Sequence, residues 1–311
     1  MEKNVLITNQ MMLKEKERFN QKILNLGYTP LWVLSDQNLT EDECLDAVTN
    51  VDGWLPGDDV ITEKVLHKAK NRLKVISKWG TGLDSIDLVA AKALNIPVFN
   101  SPGAFANAVA EVALCYMISL GRNLHTIDRC IRRGEWQKTK GSELYASNVG
   151  IIGFGEIGQR IGELSSAFGM NISYYDPFLK KHDINTKYNA KPMSLNDLVK
   201  NNSYICLACN YSKSNHHLIN HDILCAANKD LKIINVARGK LIDEKALIFA
   251  LKNKVIAGAA LDVFEEEPLP KSSSLLNIEN VILGSHNANN GIAAVEFVHD
   301  NTLKNLVSIL K

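Results

Sequence analysis

The sequence predicts an α/β protein of two doubly wound parallel-sheet domains. Three observations lead there. Short apolar runs alternate with stretches of helical periodicity along the whole chain, the pattern of parallel strands joined by crossover helices. Ten candidate strands fall at 5–8, 51–55, 73–77, 98–100, 149–152, 172–176, 204–208, 231–236, 256–261 and 281–283, which suits two sheets better than one. The length of 311 residues suggests two domains at roughly 150 residues each. A hydrophobic fraction of 46% against 22% charged residues excludes a largely disordered chain. With 35 basic and 34 acidic residues no cationic excess exists to hold a nucleic-acid backbone.

The opening run Val5-Leu6-Ile7 is long enough for a strand and too short for a secretory signal core. Helical patterns are expected at 63–69 and 86–94. Asn100-Ser101-Pro102-Gly103 marks the clearest boundary, followed by the longest helical pattern at 104–121. Ala108, Val112, Cys115 and Ile118 share one face there at 3/4 spacing. The apolar stretch 112–120 is too short to span a bilayer and reads as a buried helix. A second helix is expected at 124–133, ending at Gly134. The six cysteines read as reduced, core-filling thiols of a cytoplasmic protein. Cys206 and Cys209 form a lone CxxC inside a strand pattern, so neither a redox pair nor a zinc site is expected. His216-His217 reads as a polar loop, because adjacent side chains point apart and no cluster completes a shell; no metal site is expected. At the C-terminus Ile292, Val295, Val298, Leu303, Leu306 and Leu310 form an apolar helical face.

The strongest motif is Gly153-Phe154-Gly155-Glu156-Ile157-Gly158, preceded by the buried strand Val149-Gly150-Ile151-Ile152. Ile157, Ile161, Leu164 and Phe168 follow at helical spacing, and Gly169 stops the helix. Gly153 permits the tight turn, Gly155 the approach of a pyrophosphate, and Gly158 close helix–strand packing. The free N–H groups of the helix start then hold the diphosphate. Asp176 ends the next strand, 18 residues beyond Gly158, where an acid bonds the ribose 2′-hydroxyl. Its charge favours NAD over NADP. Three later strands end in chemistry-bearing residues: Arg238 after Ile233-Ile234-Asn235-Val236-Ala237, the acidic turn Glu265-Glu266-Glu267-Pro268, and His286.

Together with Lys78-Trp79-Gly80-Thr81-Gly82-Leu83-Asp84-Ser85-Ile86-Asp87, Asn100-Ser101-Pro102-Gly103 and Glu111, these segments resemble the D-isomer-specific 2-hydroxyacid dehydrogenases, most closely the phosphoglycerate dehydrogenase branch. The resemblance implies a Rossmann NAD domain at 98–287, inserted into a flavodoxin-like substrate domain of 1–97 plus 288–311, with substrate in the cleft between them. It implies that Arg238 binds the substrate carboxylate, that His286 exchanges the hydroxyl proton, and that Glu267 pairs with His286. It places Thr81, Glu156, Ile157, Cys209, Val236, Ala237 and Asp262 along the cofactor, and makes the backbone of Gly80, Thr81 and Gly82 the carboxylate cradle. A homodimer through the helices after Ser101, including Gly134-Glu135-Trp136, is implied as well. The chemistry agrees: imidazole works as a base near neutral pH, and guanidinium holds a carboxylate by two parallel hydrogen bonds.

The sequence departs from the branch in three places. The loop Leu55-Pro56-Gly57-Asp58-Asp59 holds two acids and no phosphate-binding arginine, which argues against phosphoglycerate and leaves Lys78 as the candidate cation for a second anionic group. The alternative for Lys78 is a solvated strand-end lysine. Asn210 stands where the family has a proline. The chain ends at Lys311, so serine feedback through a further domain is not expected. The expected activity is reversible, NAD-dependent interconversion of a small D-2-hydroxy acid and its 2-oxo acid, phosphoglycerate dehydrogenase-like or hydroxypyruvate/glyoxylate reductase-like. The competing reading is an NAD(H)-sensing interaction protein of the same fold.

Overall fold

A computed structural model describes residues 3–35, 37–179 and 189–311. The chain forms two compact units, Met1–Ala104 with Gly291–Lys311, and Phe105–Asn290. In the first unit, β1 (Lys3–Ile7), α1 (Gln10–Lys14), α2 (Lys16–Asn25), β2 (Tyr28–Trp32), α3 (Glu41–Ala47), β3 (Gly53–Leu55), α4 (Glu63–Ala69), β4 (Val75–Ser77), α5 (Leu88–Ala93) and β5 (Val98–Phe99) follow in order. The strands pair in parallel as β2-β1-β3-β4-β5, the flavodoxin-like order. Helix starts are set by local chemistry. Asn9, Thr62 and Asp87 each accept a first-turn N–H, and Thr40 with Glu43 forms a full capping box. One sheet face, with Leu6, Trp54 and Ile76, buries against Leu39, Val65, Leu66 and Ala91.

The strand β2 is absent from the sequence-based expectation because Pro30 breaks its pattern. It is tolerated because β2 lies at the sheet edge, where one side of the ladder has no partner. The expected domain boundaries also shift. β5 pairs with β4 through Ile76↔Val98 and Ser77↔Phe99, and Ser101 N–H donates to Gly80 O at 2.8 Å. Residues 98–104 therefore belong to the first unit, and the crossings fall at 104/105 and 290/291 instead of 97/98 and 287/288.

The second unit opens with α6 (Ala106–Gly121) and α7 (Leu124–Arg132). It continues through β6 (Asn148–Ile152), α8 (Glu156–Ala167), β7 (Asn171–Tyr175), β8 (Lys191–Pro192), α9 (Leu195–Asn201) and β9 (Tyr204–Leu207). Then come α10 (His221–Cys225), β10 (Lys232–Asn235), α11 (Glu244–Lys252), β11 (Gly258–Leu261) and β12 (Val281–Leu283). The parallel sheet runs β12-β11-β10-β9-β6-β7-β8. Strand order reverses between β6 and β9, the switch point where open α/β sheets bind ligands. The short edge strand β8 also escapes the sequence pattern, having no apolar run.

The buried face of α6 differs from the expected one. Val109, Ala110, Ala113, Met117 and Leu120 are buried, whereas Ala108, Val112 and Ile118 are half-buried and Cys115 is exposed. This helix is apolar on nearly every side, so periodicity cannot choose its packed face. After the second unit the chain returns to the first as α12 (Ile292–Leu310). Val295, Val298, Leu303, Leu306 and Leu310 are buried as expected, while Ile292 is exposed. The helix lies close on β3: a Cβ on Gly53 would stand 2.5 Å from Leu306 Cδ1. Ser77 Oγ also donates to Thr302 O at 2.9 Å.

Candidate active site

The glycine motif forms the turn between β6 and α8, and its three glycines differ in what they make room for. Gly153 has φ +86°, and a Cβ there would meet the Cys209 backbone at 2.5 Å. A Cβ on Gly158 would stand 2.0 Å from Gly153 O, so helix and turn touch directly. A Cβ on Gly155 would meet nothing within 4 Å: its space faces outward. Gly155 is the N-cap of α8 and offers no side chain to it, which leaves the first-turn N–H groups of Glu156 and Ile157 for a ligand. Asp176 stands at the end of β7, where Oδ2 accepts from Phe154 N–H at 2.8 Å and Oδ1 from Phe178 and Leu179 N–H at 3.0 and 3.1 Å. The carboxylate is thus clamped against the glycine turn. Cys209 begins the loop beyond β9, and burial pushes its thiol up to about 11. Val236 and Ala237 are buried just past β10.

Arg238, Glu267 and His286 follow β10, β11 and β12, three neighbouring strands. His286 Nδ1 lies 2.7 Å from Glu267 Oε2. Glu267 Oε1 accepts from Phe264 N–H at 2.9 Å, which fixes the carboxylate's orientation. Arg238 is half-buried, and its Nη1 donates to Ala237 O at 2.9 Å. Three further residues hold this group in ways that the sequence does not reveal. Buried Asn235 closes the turn before Arg238, donating to Arg238 O at 2.9 Å and accepting from Ala237 N–H at 3.1 Å. A Cβ on Gly239 would stand 1.9 Å from the Phe264 carbonyl, so only glycine lets the Arg238 turn approach the acidic turn. Asp262, buried at 2% exposure, accepts from Asn287 and Ala288 N–H at 3.2 and 2.8 Å, while its own carbonyl accepts from His286 N–H at 2.7 Å. That carboxylate braces the His286 loop, in addition to any contact with a cofactor. Tyr116 Oη also donates to it at 3.4 Å, and burial with the nearby charge raises the phenol.

The remaining predicted site residues belong to the first unit. Gly80 has φ +126°, which only glycine adopts readily. None of the N–H groups of Gly80, Thr81 and Gly82 finds an acceptor among the described residues, as a cradle for an anion requires. Asn100 holds this segment, its Nδ2 donating to Thr81 O at 2.6 Å. Lys78 is not the solvated lysine of the alternative reading. Its side chain is buried to 4% exposure, and Nζ lies 2.9 Å from Asp58 Oδ1 and 3.2 Å from Trp79 O.

Residues 114–288 match the D-isomer specific 2-hydroxyacid dehydrogenase, NAD binding domain family, which is more than half of the chain. The chain belongs to the D-isomer-specific 2-hydroxyacid dehydrogenases. It is 39% identical over 251 residues to the D-3-phosphoglycerate dehydrogenase of Methanocaldococcus jannaschii, covering 80% of this chain and 48% of that protein. It thus spans about half the length of that relative. It is 32% identical over 282 residues to the glyoxylate reductase of Pyrococcus horikoshii, covering 88% and 84% of the two chains. The D-lactate dehydrogenase of Aquifex aeolicus, solved with NAD and lactic acid, superposes with a TM-score of 0.85 at 27% identity over 97% of this chain and 93% of that one.

The NAD of a 2-hydroxyacid dehydrogenase fits the residues present. The open space at Gly155 and the uncapped start of α8 would seat a diphosphate, and the clamped Asp176 would face a ribose. The thiols need a partial correction: Cys44, Cys130 and Cys206 are buried, Cys209 is intermediate, and Cys115 and Cys225 are exposed. Cys206 lies in β9, where burial raises its thiol, so the CxxC holds no activated thiolate. The expectation for His216-His217 is corrected as well. The two rings stack with centroids 3.8 Å apart, and His217 Nε2 reaches Glu265 Oε1 at 3.0 Å. Ligand atoms of His217, Asp243 and Glu265 lie within 4.8 Å of one another, as do those of Glu15, Glu296 and His299. The first set is engaged internally: Asp243 caps α11 and Glu265 accepts from Glu244 N–H at 2.9 Å.

Proposed function

We propose that this 2-hydroxyacid dehydrogenase interconverts a small D-2-hydroxy acid and its 2-oxo acid, working on hydroxypyruvate- or glyoxylate-like substrates. The observation that carries this reading is the 2.7 Å pair of His286 and Glu267 on the sheet edge that also bears Arg238. With Nδ1 committed to Glu267, His286 would exchange the substrate proton through Nε2. It would give that proton to the carbonyl oxygen in reduction and take it from the hydroxyl in oxidation. Glu267 orients the ring and stabilises its protonated form. Arg238 would hold the substrate carboxylate by two parallel hydrogen bonds and polarise the adjacent carbonyl. NAD, when bound, supplies the two-electron acceptor or donor. Asp176 would bond the ribose hydroxyls and repel a 2′-phosphate, so NAD is preferred to NADP.

We place the enzyme in the cytoplasm as a homodimer. The half-exposed apolar face of α6 and the 82% exposed Trp136 support self-association. Among the described residues no helix is long and apolar enough to cross a membrane.

The test is a panel of 2-oxo acids followed by NADH absorbance. The wild type should turn over small members, and Arg238→Ala should lower kcat/KM at least ~1000-fold with NADH affinity nearly intact. A wild type that binds NADH yet reduces nothing in the panel would favour the NAD(H)-sensing reading instead.

A further inference from the structure

We infer that Tyr116, on α6, is a positioning residue for the dehydrogenase reaction: its hydroxyl fixes the Asp262 carboxylate, and through it the backbone of residues 286–288 that aims the His286 ring. The inference rests on the reading above in which His286 exchanges the substrate proton.

Three segments of the second unit meet at this one carboxylate. Asp262 directly follows β11 and is buried. Its backbone joins the turns of Arg238 and His286. The N–H donates to Asn235 O at 2.9 Å, beside the turn that carries Arg238, and the carbonyl accepts from His286 N–H at 2.7 Å. Its side chain takes the next two amides of the same loop, Oδ1 from Asn287 N–H at 3.2 Å and Oδ2 from Ala288 N–H at 2.8 Å. Three successive N–H groups of the loop thus end on one residue. That matters because His286 has φ +54°, a conformation that persists where the surrounding contacts over-determine it.

Tyr116 reaches the carboxylate from a helix remote in sequence. Its Oη donates to Asp262 Oδ1 at 3.4 Å. Burial and the Asp262 charge raise the phenol, so it stays protonated and serves the carboxylate as a donor. Gly284 makes the room. A Cβ there would stand 2.2 Å from Asp262 Oδ1 and 2.5 Å from Tyr116 Oη. The Gly284 backbone lies outside the left-handed region, so space and not conformation requires glycine. The phenol oxygen and the carboxylate fill that space together, two residues before His286. Without the hydroxyl, Oδ1 keeps the Asn287 N–H alone, and a buried carboxylate that loses a donor re-orients to regain one.

The experiment compares the full-length wild type with Tyr116→Phe and Tyr116→Leu. On a 2-oxo acid that the wild type reduces, Tyr116→Phe should lower kcat about 10-fold while KM and NADH affinity stay within about 2-fold, because a displaced ring costs alignment and not binding. Hydrogen–deuterium exchange of the peptide spanning 284–290 should quicken by about 5-fold. Tyr116→Leu should lose the same kcat and more of the denaturation midpoint, since the hydroxyl aims the loop and the ring packs. NADH binding reports that both variants fold. An unmoved kcat in Tyr116→Phe, a kcat loss without faster exchange, or a kcat loss that KM and the midpoint share would overturn the inference and leave the dehydrogenase reading standing. A wild type that binds NADH yet is idle on every 2-oxo acid would overturn both.

Discussion

Glu267 divides its carboxylate between the Phe264 N–H and His286 Nδ1, so it holds a backbone turn and an imidazole at once. His286 sits at φ +54°, outside the region most residues occupy, in a loop braced by Asp262. In the proposed reaction, reduction would need this imidazole protonated, and an adjacent carboxylate favours that form. In Glu267→Gln the pH at which reduction fails should therefore move downward, with kcat lower by about 100-fold. A pH–rate profile of the variant checks this; an unchanged profile would show that the pair is only structural. That Arg238, Glu267 and His286 follow three neighbouring strands was legible in the sequence, because each closes a strand pattern. Gly239, Gly284 and the bracing role of Asp262 were not. Their importance lies in what touches them: a Cβ on Gly284 would stand 2.2 Å from Asp262 Oδ1, a contact across residues far apart in sequence.

Among the elements, the turn from β6 into α8 was readable in the sequence, and its geometry separates two of the expected glycine tasks experimentally. Gly158→Ala places a Cβ against Gly153 O and should destabilise the fold by about 1–3 kcal/mol, seen as a lower denaturation midpoint. Gly155 has φ −73° and open space, so Gly155→Ala should keep that midpoint while weakening NADH binding by about 10-fold, since the methyl group stands where the diphosphate must approach. Titration of NADH fluorescence distinguishes the two variants, and equal losses of stability would contradict the assignment. Strands β2 and β8 were not legible: one contains Pro30, the other has no apolar run, and both are held only by pairing at sheet edges. The packed face of α6 was misjudged because an all-apolar helix lets its neighbours, not its own period, decide what is covered.

At the scale of the whole molecule the chain leaves its first unit at Ala104 and returns at Gly291, so residues remote in sequence share one core. His299 of α12 shows this. It is fully buried, its ring centroid lies 4.5 Å from that of Phe19 at a 41° tilt, and its Nδ1 accepts from the Trp79 indole N–H at 3.1 Å. Glu15 lies 3.6 Å from Nε2, with Glu296, Arg18 and Lys22 as the other charges in its field. Burial pushes the imidazole below its ordinary range, ahead of the opposing carboxylates. The folded chain keeps the ring neutral where the unfolded chain protonates it. The contribution to stability is thus present above about pH 6.5 and is lost as pH falls toward the folded value. Thermal melts from pH 7.5 to 5 should show a stability loss that shrinks in His299→Gln; an equal slope in both would sink the idea. By itself the sequence determined the α/β class, the glycine turn between β6 and α8 and the family, because periodicity and short motifs are properties of neighbouring positions. Tertiary structure alone decided the crossing points, the face of α6 and the state of Lys78. Those depend on which distant segment arrives at each surface, and a lysine reads the same on paper whether water or Asp58 holds its charge.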